Sequence, residues 1–474
     1  MPMSSESDPT GGPPSPASIA WPDGRTRTAG PPSLVPAAAR AAQARALRQV
    51  VPAPSPPSLD PFLPKEPRTW DEIGIDPSVV EQLLLRHLLD VGVASGRELS
   101  QAVGLPHAFV REVVDILKNQ KLLTHRATSA VGDYVSELSE AGRARAFEAR
   151  NQTTYVGPAP VPWEQYLVSL SAQSLDRRAP TQADLVAAFA DLLVSDDLLD
   201  RLGPAITSGR PLFLHGDPGN GKTSIAERLT RCFGDAIWIP HTLLVGGHHI
   251  PLYDRMVHEA APPPAGGERV DRRWIRVKRP TVVAGGELTM AALELQLDPT
   301  TRLLAPSIAL KASGGTLLID DFGRGTVSTR ALLNRWIVPL EKRIDFLRLP
   351  DGRTLEVPFA CLLVFSTNLE PRELADEAFL RRIPYKIHIG DPTESEFETL
   401  THRMAEALGV TLGPRSVQYL IDRHYRLPQR AMRFCQPRDL LQQVRHLCRY
   451  EDRPSVATPA EWDRVVQNYF GWNG

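Results

Sequence analysis

Leu212-Phe213-Leu214-His215-Gly216-Asp217-Pro218-Gly219-Asn220-Gly221-Lys222-Thr223 decides how the rest of this 474-residue chain is read. Three apolar residues make a short buried-strand run, and Gly216 to Thr223 then matches GxxxxGK[ST] in full. The glycines let successive backbone N–H groups turn inward on phosphates, while a helix starting near Lys222 points its positive end at them. Lys222 is then placed to reach the β and γ phosphates, and Thr223 to offer its hydroxyl to magnesium. Ile225, Leu229, Cys232 and Phe233 give the following helix an apolar face. The expected nucleotide-binding residues are Gly216, Asp217, Pro218, Gly219, Asn220, Gly221, Lys222, Thr223 and Ser224. A glycine-rich structural turn is the alternative.

Further motifs follow in order. Gly315-Thr-Leu-Leu-Ile-Asp320-Asp321 is an apolar strand ending in two carboxylates. Ile344 to Leu349 and Thr354 to Pro358 flank Pro350-Asp351-Gly352, a hairpin signal. Cys361-Leu-Leu-Val-Phe-Ser-Thr-Asn368 is a second buried strand ending in a polar residue. Asp376-Glu-Ala-Phe-Leu-Arg381-Arg382-Ile383 precedes the strand Tyr385 to Ile389, and Gln436-Pro-Arg438-Asp-Leu-Leu opens a helix.

Gly-Asp-Pro-Gly-Asn-Gly-Lys-Thr resembles the nucleotide loop of AAA+ ATPases, and the other motifs extend that resemblance over roughly residues 181–474. It implies ATP and Mg2+ as cofactors. Asp320 would help Thr223 hold the metal, through water, and Asp321 would polarise the attacking water. Most AAA+ proteins carry Glu there; Asp is one methylene shorter, which implies slow hydrolysis or a shifted strand. A register with Asp321 on the metal and Phe322 in the catalytic place would leave a switch without turnover. An Asp-Asp pair also occurs in the bacterial replication initiator.

Asn368 fits sensor 1, with a turn-capping Asn as the alternative. Arg381 or Arg382 would be the arginine finger entering a neighbouring subunit, worth about 10³ to 10⁵ in rate; the alternative is pairing with Asp376 or Glu377. Arg438 is similar to sensor 2, with retention by Asp439 as the alternative. The hairpin before Asn368 resembles the pre-sensor-1 hairpin clade, which includes MoxR-like ATPases and branch-migration motors.

Between a second strand (Ala236 to Pro240) and the acidic strand lie some 70 residues, read as an insertion able to supply substrate-contacting loops. They hold Gly246-Gly247-His248-His249, a Pro-rich stretch from Ala261 to Gly267 and a possible hairpin at Arg273 to Val283. His248, His249, His258 and Asp254 fit no zinc spacing and are read as structural.

Residues 1–68 contain 16 of the 44 prolines and read as a disordered tail, with Ala37 to Val50 a marginal helix. Residues 69–150 read as three helices, a small hairpin around Ala127 to Gly132 and a closing helix, which resembles a winged helix-turn-helix domain. That segment carries 9 Lys/Arg against 12 Asp/Glu, and its third helix exposes Glu112 and Asp115 beside Arg111 and Lys118. Such a face repels phosphate, favouring protein docking or a structural role over DNA contact. Residues 151–180 read as a connector, 181–390 as an α/β core with a parallel sheet, and 391–474 as an α-helical lid, with helical patterns at Trp163 to Leu175 and Thr181 to Leu202 ahead of the core strands.

Basic and acidic residues number 54 and 55, so no global charge favours nucleic acid or an anionic membrane. No apolar run suffices to cross a bilayer and the start of the chain lacks a signal-peptide pattern, which predicts a cytoplasmic protein without membrane insertion. The four cysteines lack CxxC spacing and read as reduced core thiols. The expectation is a ring-forming AAA+ ATPase, a hexameric homo-oligomer because a finger in trans has no use in a monomer. It would remodel a protein complex, with an unknown client or adaptor selected by the winged helix. The alternatives are a DNA-acting motor or loader and a non-hydrolysing ATP switch.

Overall fold

The structure, a computed structural model, describes residues 62–128, 134–177, 179–234, 236–263 and 269–471. The tail to residue 61, with the helix expected at Ala37 to Val50, lies outside them. So do residues 129–133 of the expected wing and 264–267 of the Pro-rich stretch.

The described chain begins with a helical module. α1 (Trp70–Ile73) leads into α2 (Pro77–Val91), capped by Asp76 with Pro77 in its first turn. β1 (Val93–Ser95) precedes α3 (Gly96–Val103), whose start is set by a Ser95–Glu98 capping box. α4 (His107–Asn119), β2 (Leu123–Thr128), β3 (Tyr134–Leu138) and α5 (Glu140–Gln152) follow. The strands form one antiparallel sheet in the order β1-β3-β2. Val80, Leu83, Leu84, Leu99, Val110, Val113 and Leu117 are buried together beneath it.

The face of α4 is partly covered. Trp70 packs edge-on against Phe109, and its indole N–H donates to Glu112 at 2.9 Å. Arg272 donates to Ser100 Oγ and the Leu105 carbonyl, joining α3 to the chain that follows. Arg273, 1% exposed, makes a bidentate pair with Asp271 and also donates to the Ile73 carbonyl at 2.8 Å. The module is therefore tied on by a hydrogen bond from a buried guanidinium that is itself neutralised within its own segment.

The main sheet has five parallel strands. β4 (Leu212–His215), β7 (Thr281–Ala284), β8 (Thr316–Ile319), β11 (Leu362–Thr367) and β12 (Tyr385–His388) lie in the order β7-β8-β11-β4-β12. β4, β8 and β11 are buried along their whole length, as parallel strands covered on both faces must be. All five end on the same side, where His215, Ile319 and Thr367 give way to loops. Ligands bind at that edge in open α/β sheets.

Three sequence expectations are corrected here. Ala236–Pro240, labelled β5, leaves the main sheet and pairs antiparallel with β6 (Trp274–Lys278). The hairpin expected at Arg273 to Val283 does not form: β7 instead takes the edge of the main sheet beside β8. Arg279 and Pro280 make the transfer between sheets. The Arg279 guanidinium donates to the Gly314 and Gln173 carbonyls, and the Pro280 carbonyl accepts from Thr316 N–H. The helical run expected from Thr181 to Leu202 is also two helices, Gln182–Ala188 and Asp196–Thr207, because Ser195 caps a new start.

β9 (Ile344–Arg348) and β10 (Thr354–Pro358) form an antiparallel hairpin just before β11. The C-terminal helices are α8 (Glu394–Leu408), α9 (Ser416–Ile421), α10 (Gln436–Tyr450) and α11 (Pro459–Phe470), packed around Phe397, Leu440, Leu441, Val444 and Trp462. The intervening labels are α6 (Lys222–Leu229) and α7 (Glu377–Leu380) in the core. Among the described residues no helix is long and apolar enough to cross a membrane.

No three metal-ligating side chains converge among the described residues. His258 accepts from Asp254 N–H through Nδ1 and donates through Nε2 to the Lys311 carbonyl. His249 packs at a tilt against Tyr155 with ring centroids 5.4 Å apart, and its Nε2 has no protein hydrogen-bond partner. Burial pushes the His249 imidazole down to about 4, with Arg86 and His248 acting in the same direction. The unfolded chain takes up this proton near pH 6.5, whereas the native chain resists until about pH 4. Stability is therefore complete above pH 6.5 and falls as pH drops, by about 3 kcal/mol near pH 4. His249→Phe should remove that part of the acid loss, read as denaturation midpoints at about pH 7 and about pH 4.5. An unchanged acid dependence would show that His249 is not its source.

Candidate functional site

The loop after β4 is built on backbone geometry that only glycine adopts freely. Gly216, Gly219 and Gly221 have φ of 138°, 86° and 78°. Gly221 caps α6 without a side chain, so the first N–H groups of this helix are open to the cavity beside it.

Lys222 begins α6 and folds back under the loop. Its Nζ donates to the Gly216 and Asp217 carbonyls and, at 2.5 Å, to Asn368 Oδ1. Burial pulls its ammonium below the usual range, while Asp320, Asp321 and Asp217 act the other way. The Thr223 hydroxyl donates to Asp320 Oδ2 at 2.7 Å. Asp320 Oδ1 in turn accepts from the Asp321 N–H, and Asp321 faces Asn368 Nδ2 at 3.5 Å. Asp321 takes a φ of 48°, the left-handed region, as the chain turns off β8. Phe322, only 3% exposed, packs against Phe213 and Phe365, so no side chain from that position reaches the cavity.

These groups line a cavity of about 720 Å³ between the sheet edge and the C-terminal helices. Pro218 to Ser224 form its floor, Asp191 to Ser195 one wall, and Leu400, Arg403, Met404 and Phe434 the opposite wall. Its volume lies in the range of small-molecule and cofactor sites. Arg438 also lines it, with the guanidinium on Asp439 at 3.1 Å. Arg381 and Arg382 lie elsewhere. Arg381, with its side chain 76% exposed, reaches Glu377 one turn back; Arg382 is held by Glu341 at 2.6 Å.

Sequence reasoning missed the Asp191–Ser195 wall, which no motif marks. It also missed Arg433, which pairs with Asp217 at 2.7 Å and with Asp391. Asp391 stands just past the end of β12, and the rule that ligands gather at strand ends flags such a position.

A family model described as a domain of unknown function, DUF8689, matches residues 393–468, the α8–α11 helices. No curated protein matches the sequence. Among solved structures, the chain is similar to the Thermotoga maritima RuvB Holliday junction branch migration motor, at 15% identity and TM-score 0.33. That likeness covers 63% of this chain and 72% of that one. It is also similar to NtrX from Brucella abortus, at 14% identity and TM-score 0.37, over 58% of this chain and 56% of that one. The fold class is α/β: a five-stranded parallel sheet with the glycine-rich loop at its strand ends, followed by a C-terminal bundle of helices.

The loop's tolerance differs sharply between its glycines. A Cβ on Gly216 would stand 2.3 Å from the Ile389 carbonyl oxygen, whereas one on Gly221 would meet nothing within 4 Å. Gly216→Ala should cost about 2 to 4 kcal/mol, and Gly221→Ala about 1 kcal/mol, from left-handed strain alone. Chemical denaturation of the two variants measures the gap; equal costs would mean that the approach of Gly216 to Ile389 is not tight.

Proposed function

We propose that this chain is an AAA+ ATPase that binds Mg·ATP in the cavity above β4, hydrolyses it, and acts as a homo-oligomeric ring that remodels a protein complex. The observation that carries the reading is the convergence of Lys222, Thr223, Asp320, Asp321 and Asn368 at the ends of three adjacent strands. Those groups supply a cation for phosphate, two oxygen ligands for a hard metal, and a carboxylate and amide for a water.

In this reading the backbone of Gly216 to Ser224 cradles the phosphates, and Lys222 exchanges the Asn368 oxygen for phosphate oxygens. Magnesium on Thr223 and Asp320 would neutralise charge on those oxygens. Asp321 accepts the proton of the attacking water, and Asn368, already beside it, orients that water. Arg438 leaves Asp439 to reach the γ phosphate from the lid. Arg381 is the better finger of the two arginines: Arg382 is tied to Glu341 in its own core, whereas Arg381 is exposed on a four-residue helix. The burial of Phe322 favours Asp320 as the metal carboxylate over the shifted register.

The hairpin of β9 and β10 before β11 supports placement beside the MoxR-like, pre-sensor-1 hairpin clade. The order helix, strand, two helices and two strands over residues 77–138 supports a winged helix in the 69–150 domain. With Glu112 engaged by Trp70, its third helix suits protein contact better than a phosphate backbone. A ring of six, a cytoplasmic setting, a protein client, and the 151–180, 181–390 and 391–474 divisions belong to the same proposal.

Phosphate release should be abolished by Lys222→Ala and by chelating magnesium. Arg381→Ala should lower it by about 10³ or more with the assembly intact, while Arg382→Ala should leave most activity. The measurement is phosphate release with and without duplex DNA, alongside solution mass with ATP. Stimulation by duplex DNA would replace the remodelling reading with a DNA motor. ATP-dependent assembly without turnover, with every protein partner tried, would make it a switch.

A further inference from the structure

The phosphate-loop motif leaves positions 217 to 220 free, yet three of them here are spent on the lid. Arg433, its side chain 21% exposed, precedes α10 and places one guanidinium nitrogen on both Asp217 and Asp391. Asn220, 3% exposed, donates to Asp391 Oδ1 at 2.7 Å and accepts from Phe434 N–H at 3.5 Å. The Cys435 N–H donates to the Gly219 carbonyl at 2.9 Å. A Cβ on Gly219 would meet the Cys435 sulfur at 2.6 Å, so the two segments approach as closely as only glycine permits. Gln436 completes the arrangement by accepting from the Arg433 N–H at 2.8 Å.

We infer that Arg433 is a clamp holding the lid to the phosphate loop through Asp217 and Asp391, and that opening this clamp sets the rate of nucleotide exchange. The inference rests on the nucleotide reading above. The cavity is walled by the core on one side and by Leu400, Met404 and Phe434 of the lid on the other, so a nucleotide leaves when the lid swings away. That swing must separate Arg433 from both carboxylates and Cys435 from Gly219. Arg433 acts here as a positioning residue: it touches the loop that holds the phosphates and leaves the reacting atoms to others.

Two partly exposed ion pairs make the clamp sensitive to ionic strength. Release of a fluorescent ADP analogue, followed by stopped flow, should speed up with salt in the wild type. Arg433→Ala should release it about tenfold faster, the factor that two such pairs supply together, and should lose the salt dependence. Arg433→Lys should restore slow release in part, since an ammonium can still face both carboxylates. Asp217→Asn tests the same pair from the loop side, at an exposed position where folding is not at stake. Amide hydrogen exchange at residues 433–436, measured without nucleotide, should quicken in Arg433→Ala and Asp217→Asn. Unchanged exchange and unchanged release in both variants would overturn the clamp. Failure of the wild type to bind the analogue would sink the nucleotide reading itself, and the exchange data alone would then decide whether the lid is held.

Discussion

Asn368 accepts a 2.5 Å hydrogen bond from Lys222 while its amide faces Asp321, and this contact is possible only because β11 lies between β4 and β8. If the strand carrying the lysine loop and the strand carrying the carboxylates were neighbours, no third strand end would separate a buried cation from two acids. The parallel register then decides the rest. Thr367 stands opposite His215 and Ile319 opposite Phe365, so the three loops leave the sheet at nearly one level. Hydrophobic burial of three continuous strands holds that level, and the polar groups gather where the burial ends.

What was legible followed from local constraints. Gly216 to Thr223 declares itself because a loop with φ of 138°, 86° and 78° favours glycine at three fixed spacings, and the acidic and Asn-bearing strands end where their apolar runs stop. The C-terminal helices were legible from helical spacing. The edge strand was not. Thr281-Val-Val-Ala is four residues long, and a run that short suits a hairpin as well as a parallel edge. Its partner is chosen by the long-range pair of Thr316 N–H and the Pro280 carbonyl, which sequence spacing does not contain. The Asp191–Ser195 wall was hidden for a related reason: helical periodicity ran through it, and a single Ser195 cap breaks the run.

The arginines illustrate a further limit. Arg381 and Arg382 are adjacent and chemically equal in the sequence, and only tertiary contacts separate them: Glu341 is 41 residues away from the arginine it engages. Arg433 had no motif at all. Its meaning comes from two carboxylates distant in sequence, one on the phosphate loop and one past β12. Positions fixed by local backbone geometry were thus readable, and contacts made with a partner across the fold were not.

The N-terminal module narrows which motions remain available. Arg273 and Asp271 are both buried and mutually bonded, and the Arg273 guanidinium also binds the Ile73 carbonyl. Separating the module from the β5–β6 sheet would break the Arg273 hydrogen bond to Ile73, while the Arg273–Asp271 pair, both on the β6 side, would stay intact. The lid is attached differently, through partly exposed ion pairs and one backbone hydrogen bond, each individually weak. Both joints are thus made of directed polar contacts, but the ion pairs at the glycine-rich loop lie partly open to water, where salt screens them, whereas Arg273 is 1% exposed.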